Sequence, residues 1–328
     1  MAGVGAFIVP GKSLERAIER VRLADSLGLD SVYTTQIAGR DAFAVLTVYA
    51  GATERVRVGT GVAPIFARAP VAMAQVAATI DEYSGGRMVL GLGVSHKVTV
   101  ENWFDSKIEK PVTQMREYAQ IVRAILGGEA PPQGEFFNTA FQFMGFEPRP
   151  QLPIYIAALS PNMLRLAGEI GDGVMLWMCV PGYIRDVVIP AVREGRERAG
   201  KSMEGFDVVA AVPAAVTDDP DAARDSARSE LLTYFSLPFY RRMIESSGFA
   251  DEIAAFDEAM GKGDVDGAKA AISGRYLGEL AGIGTAGDVG AAVARYQDAG
   301  AISPCVGGIP RTPFEAALEA AAKAAEPE

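Results

Sequence analysis

Val56–Trp103 reads VRVGTGVAPIFARAPVAMAQVAATIDEYSGGRMVLGLGVSHKVTVENW. Two apolar, glycine-tailed runs, Val56–Val62 and Arg87–Val94, flank a helix-like segment from Pro70 to Tyr83. Each run is short, rich in β-branched residues and ends in glycine where polar groups begin, the pattern of a strand buried on both faces of a parallel sheet. The glycines and the only histidine, His96, therefore fall at the carboxyl ends of the strands. In parallel α/β architectures, ligands bind at that edge.

Six more strand-like runs surround this pair: Val4–Val9, Ser31–Thr35, Ile154–Ala158, Val174–Trp177, Val208–Val216 and Ile302–Ile309. Helical segments lie between them and carry ordinary start signals. Ser13 precedes the first helix, Asp41 the second and Pro70 the third, while Ser160-Pro161 pairs a capping serine with a first-turn proline. Eight βα alternations predict a (β/α)8 TIM barrel spanning residues 1–328 as a single domain. A doubly wound sheet is the alternative, but its first βα turn normally holds a dinucleotide fingerprint, and Val9-Pro10-Gly11-Lys12-Ser13 has none. Two segments exceed a minimal barrel. The proline- and aromatic-rich stretch 127–152 reads as a hairpin inserted before strand 5. The stretch 231–284 reads as a helical insertion between strands 7 and 8, overhanging the carboxyl face.

Composition narrows the function. Of 328 residues, 49% are apolar, enough for a large core, and the formal charge is -10. An acidic chain lacks the clustered Lys and Arg that nucleic acid requires, so the expected partner is a small molecule. No run approaches the ~18 uninterrupted apolar residues of a membrane span. The opening MAGVGAFIVPGK lacks a basic leader region and reads as a first strand, so the expected location is cytoplasmic. Cys179 and Cys305 match no zinc spacing and are expected to be buried thiols, and one histidine cannot build a multi-histidine site, so no metal is expected.

The chain contains one GxGxxG, Gly282–Gly287. Only one strand follows it, and Thr285 with Asp288 forms a Thr-x-x-Asp pattern, so a helix start is the better reading. More informative are three strand ends. Gly59-Thr60-Gly61-Val62 is either a tight turn or a place where missing side chains let a flat ring approach the backbone. Gly91-Leu92-Gly93-Val94-Ser95-His96 brings an imidazole to the ligand-binding edge, where a pKa of ~6.5 suits proton exchange. The turn at Leu159-Ser160 either caps a helix or presents its free N–H groups to a phosphate.

Together these motifs resemble the bacterial luciferase-like superfamily, and within it the F420-dependent branch typified by methylenetetrahydromethanopterin reductase. The carrying residues are Gly39–Phe43, Val58–Val62, Asp81–Arg87, Leu90–His96, Val98–Trp103, Lys110-Pro111, Arg116–Tyr118, Pro153–Ala158 and Ala167–Val174. The resemblance implies a homodimer and a deazaflavin, F420, lying across the carboxyl face. It places a non-proline cis peptide at Gly61-Val62, and implies cofactor contacts from Gln36, Thr60, Gly61, Val62, Val94, Ser95, His96, Ala158, Leu159, Ser160 and Trp177. Relatives that oxidise a sugar phosphate carry an Asp-His pair, a Glu and a Lys where this chain has Gln36-Ile37, His96 and Trp177–Val180. An apolar or neutral substrate is expected instead, such as an enone, imine or pterin-like ring. His96 is the expected catalytic proton carrier, with Glu101 in reserve. The expected reaction is hydride transfer between F420 and a small organic substrate. The alternatives are an FMN-dependent monooxygenase and a non-catalytic flavin-binding homologue. The apolar segment Ala42–Ala52 is the candidate dimer surface.

Overall fold

The computed structural model describes residues 3–325, so the ends of the expected domain, 1–2 and 326–328, lie outside the described residues. Eight parallel strands close a barrel: β1 (Gly5–Phe7), β2 (Ser31–Thr34), β3 (Arg57–Thr60), β4 (Met88–Gly93), β5 (Ile154–Ala157), β6 (Gly173–Leu176), β7 (Asp207–Val216) and β8 (Ser303–Gly308). Neighbours in sequence pair with one another, and β8 closes the ring by pairing with both β7 and β1, with Gly5 opposite Cys305. Two short strands, Ala63–Pro64 and Gly282–Gly284, pair in parallel with β4 and β7. The barrel expectation holds, and each predicted strand overlaps an observed one.

The barrel interior is filled by Phe7, Tyr33, Val89, Tyr155, Met175, Val209, Ala211 and Cys305, contributed by every strand but β3. There Gly59 makes room: a Cβ on it would lie 2.7 Å from the Val89 carbonyl and 2.8 Å from the Tyr33 ring. At the amino end the interior is closed by a polar group. Arg57 donates to the Tyr155 hydroxyl at 3.1 Å, and Tyr155 donates on to Asp207 at 2.9 Å. Arg57 also pairs with Asp30. Both thiols are buried and free, and burial pushes their pKa values up, so neither is poised to react.

The helices begin where their caps predict. Ser13 accepts from the Arg16 N–H, Asp41 from Ala44 and Ser160 from Met163, and Pro70 opens the third helix. Thr285 and Asp288 form a reciprocal capping box for Ala286–Asp298, so the GxGxxG is a helix start. The helix after β5, Pro161–Ile170, meets Ile189–Arg198 backbone to backbone. A Cβ on Gly168 would lie 2.2 Å from the Val192 carbonyl, and one on Gly195 2.0 Å from that of Arg165. This close contact fixes the helix whose N-terminus faces the carboxyl end of the barrel.

One expectation is corrected. Residues 127–152 form no hairpin; they run as an irregular excursion without strand pairing. The N–H groups that a hairpin would direct to a partner strand go elsewhere. Those of Glu135, Phe136 and Phe137 converge on the Glu117 carboxylate at 2.9, 2.8 and 3.2 Å. Asn138 and Gln133 take neighbouring backbone groups, and Phe141, Phe143 and Phe146 stack edge to face as a small cluster of their own. The expected helical insertion is present as Pro238–Ile244, Ala250–Gly261, Val265–Ala271 and Gly274–Leu280, preceded by the long helix Pro220–Ser236. No helix among the described residues is long and apolar enough to cross a membrane.

Candidate active site

The ends of β3 and β4 set the floor of the site. Ladder pairing between them stops after Gly59 opposite Val89, then resumes with Ala63 opposite Leu92. In the gap the Gly61-Val62 peptide bond is cis, as the resemblance implied. The Thr60 hydroxyl bridges the break, donating to the Gly91 carbonyl at 2.7 Å and accepting from the Gly91 N–H at 2.9 Å. A Cβ on Gly91 would lie 2.1 Å from the Thr60 carbonyl, and one on Gly93 would lie 2.6 Å from Val62 Cγ2. These two glycines thus make room for the displaced strand and its valine.

Thr60 is therefore turned away from solvent, fully buried, with its hydroxyl committed to β4. Thr60→Val would leave a buried carbonyl and N–H without partners. It should lower stability by about 1–3 kcal/mol, read as a lower urea midpoint at constant slope. An unchanged midpoint would show that the bridge holds nothing.

Above this floor lies a cavity of about 570 Å³, lined by Gln36, Gly61, Val62, Ser95, His96 and Trp177 from the strand ends. Thr233, Tyr234, Leu237 and Tyr240 close it from above, so the insertion and its leading helix form a wall. A second cavity of about 180 Å³ adjoins it and shares Ser95, His96, Trp177 and Tyr240. It extends between Val94, Ala158, Leu159 and Ser160 toward the N-terminus of Pro161–Ile170. The larger volume falls within the ~300–1,000 Å³ of ordinary small-molecule sites. All the residues named above as cofactor contacts meet here except Thr60.

Several of them are held from behind. Gln36 accepts from the Ala42 N–H at 2.8 Å, capping the second helix while its residue lines the cavity. The Leu159 carbonyl accepts from the Tyr183 hydroxyl at 2.7 Å, and Trp177 stacks edge-on against Phe7 with ring centres 5.2 Å apart. Ser95 and Met178 adopt left-handed backbone at φ 60 and 56. Such residues cost about 1–3 kcal/mol each and cluster at functional sites.

His96 lines both cavities, with its ring centre 5.9 Å from that of Tyr240. Burial lowers its pKa, so at pH 7 it is a neutral imidazole able to donate or accept one proton. Glu101 is placed differently. It projects from the exposed side of the helix Lys97–Trp103, 3.7 Å from Lys97, and lines neither cavity. The structure brings His96 to the site and leaves Glu101 outside it. Missing from the sequence reading was Glu230, which lines the larger cavity from the helix Pro220–Ser236. Its only sequence signal is an acid set beside Leu231-Leu232 in an aromatic-rich stretch.

The family model for luciferase-like monooxygenases matches residues 1–303. The chain belongs to this family. The 5,10-methylenetetrahydromethanopterin reductase of Archaeoglobus fulgidus is 33% identical over 300 residues, 89% of each chain. A putative coenzyme F420-dependent oxidoreductase of Mycobacterium tuberculosis is 32% identical over 76% of this chain and 84% of its own. The solved coenzyme F420-dependent tetrahydromethanopterin reductase of Methanopyrus kandleri superposes with a TM-score of 0.84, covering 98% of this chain and 97% of its own at 24% identity. That likeness shows a shared fold over nearly the whole of both chains.

Proposed function

We propose that this protein is an F420-dependent oxidoreductase that moves a hydride between the deazaflavin and a small organic substrate. The observation that carries this reading is the convergence of Val62, Val94, His96, Ser160 and Trp177 on one carboxyl-end site, in a chain whose relatives include F420-dependent enzymes. The residues present suit such a cofactor. Val62, Val94 and Trp177 offer apolar surface to a flat ring. The ten-residue helix Pro161–Ile170, capped by Ser160, turns its N-terminal N–H groups toward the smaller cavity, where a phosphate-bearing tail would find them. When bound, the deazaflavin supplies the hydride-carrying carbon.

The protein's own contributions follow from the geometry. The β3 and β4 ends fix the plane on which a ring can rest. Tyr234, Leu237 and Tyr240 wall the face opposite, and His96 holds or releases the accompanying proton at its imidazole. Among the residues lining the two cavities there is no Lys or Arg to hold a sugar phosphate, which favours an enone, an imine or a pterin-like substrate. The test is to incubate the protein with reduced F420 and such acceptors without oxygen, following the return of oxidised F420. Turnover supports the reading. Oxygen-dependent turnover with FMN would replace it with a monooxygenase, and inertness with either cofactor would indicate a binding homologue.

We further propose a homodimer through the outer face of Ala42–Ala52, where Ala44, Thr47, Val48 and Gly51 are exposed near the exposed Tyr83. Light scattering at micromolar concentration should give twice the chain mass of 34.6 kDa. The monomer mass would contradict it.

A further inference from the structure

Glu230 lines two cavities at once: the 570 Å³ site and a narrow pocket of about 40 Å³ beside it. Trp177 borders both, so the two residues mark the passage between them. The narrow pocket runs down among Ala211 and Pro213 of β7, Leu277 and Leu280 of the insertion, and Ile309 just past β8. Every residue lining it other than Glu230 is apolar or glycine. A water needs ~10–15 Å³ of such space, so the pocket takes a short substituent of a few heavy atoms.

Among the described residues Glu230 has no ion-pair or side-chain hydrogen-bond partner, unlike Asp41, Asp81, Glu169 and Glu252, each of which is held by an arginine. Its side chain is exposed and borders the larger cavity, where the nearby protein pushes its carboxyl pKa up. In the larger cavity the only other side chain that could carry charge near neutrality is His96, which is neutral at pH 7 and offers no counter-charge. A cation entering the cavity therefore meets one carboxylate and no competing positive charge, and beside that carboxylate opens a small apolar pocket.

We propose that Glu230 is the substrate-recognition group of this site, binding the cationic nitrogen of a small amine or protonated cyclic imine whose alkyl substituent enters the pocket behind Trp177. This rests on the reading of the carboxyl-end cavity as the substrate site and narrows it to one class. The charge selects the nitrogen, and the pocket selects a short substituent beside it.

Calorimetric titration of the full chain, without any cofactor, separates these claims. The probes are 2-methylpyrrolidine, a cation at neutral pH, its neutral isostere 2-methyltetrahydrofuran, and unsubstituted pyrrolidine. 2-Methylpyrrolidine should bind at least tenfold more tightly than the isostere and several-fold more tightly than pyrrolidine. Glu230→Gln should abolish the preference for the cation, and Glu230→Asp should retain part of it. Thermal melting of both variants checks that they fold. Equal binding of cation and isostere, no binding of either, or an undiminished preference in Glu230→Gln would overturn the proposal. Since no F420 is present, an amine preference in a protein that fails to bind F420 would sink the redox reading alone. F420 binding without an amine preference would sink only this one.

Discussion

His96→Ala should lower kcat by at least about tenfold while leaving F420 affinity within a few-fold, because general acid–base help is worth ~10²–10⁴ in rate. The imidazole sits where both cavities meet, among apolar and aromatic neighbours. Tyr240, the phenol beside it, is buried, and burial raises its pKa well above the ordinary value, so it cannot take over proton exchange near neutrality. Burial also lowers the His96 pKa from its ordinary 6.5. A rate that needs the neutral imidazole should therefore stay level from pH 8 to 7 and decline only below the usual histidine range. His96→Ala should remove that acid limb along with most of the rate. Glu101→Gln, outside the site, should change neither. Full turnover in His96→Ala together with its loss in Glu101→Gln would reverse the two assignments.

The second large effect is expected at Gly91. An added methyl would lie 2.1 Å from the Thr60 carbonyl and 2.6 Å from Met175 Sδ, and the first of these is backbone that cannot swing away. Overpacking of this kind costs typically about 1–3 kcal/mol, occasionally more. Here the displacement would also push β3 and Val62 from the floor of the site. Gly91→Ala should therefore lower the urea midpoint and weaken F420 binding at least tenfold in the same protein. Gly39→Ala, at a position with no atom within 4 Å and ordinary φ, is the matched control and should change neither. Wild-type stability and affinity in Gly91→Ala would mean that the β3–β4 packing does not position the site.

The barrel was legible because buried parallel strands leave a plain trace: short β-branched runs ending in glycine, separated by capped helices. Strand ends were the most readable part, and with them Val62, Val94, His96, Ser160 and Trp177, since each lies within a few residues of a strand terminus. What the sequence obscured was partner choice over distance. Nothing local says that the Thr60 hydroxyl will span to Gly91, or that Glu117 will collect three N–H groups from residues 135–137 and so prevent a hairpin. Phe141 and Phe143 have the alternation of a strand, yet their rings pack on each other, and Phe143 on Phe146, instead of across a ladder. Glu230 escaped notice for the same reason, since nothing local shows that its helix, Pro220–Ser236, borders the cavity. Glu101 shows the converse. Proximity to His96 in sequence did not bring it inside, because the helix Lys97–Trp103 turns that side chain outward toward Lys97.

The central claim is that this carboxyl-end site is built for a deazaflavin. It is tested most directly by titrating the purified protein with F420 and, separately, with FMN, following the fluorescence of its two tryptophans, Trp103 and Trp177, both of which line the larger cavity. Saturable quenching by F420 at about micromolar concentration, equivalent to roughly -8 kcal/mol, with FMN far weaker, is the predicted result. Tighter binding of FMN than of F420 would contradict it.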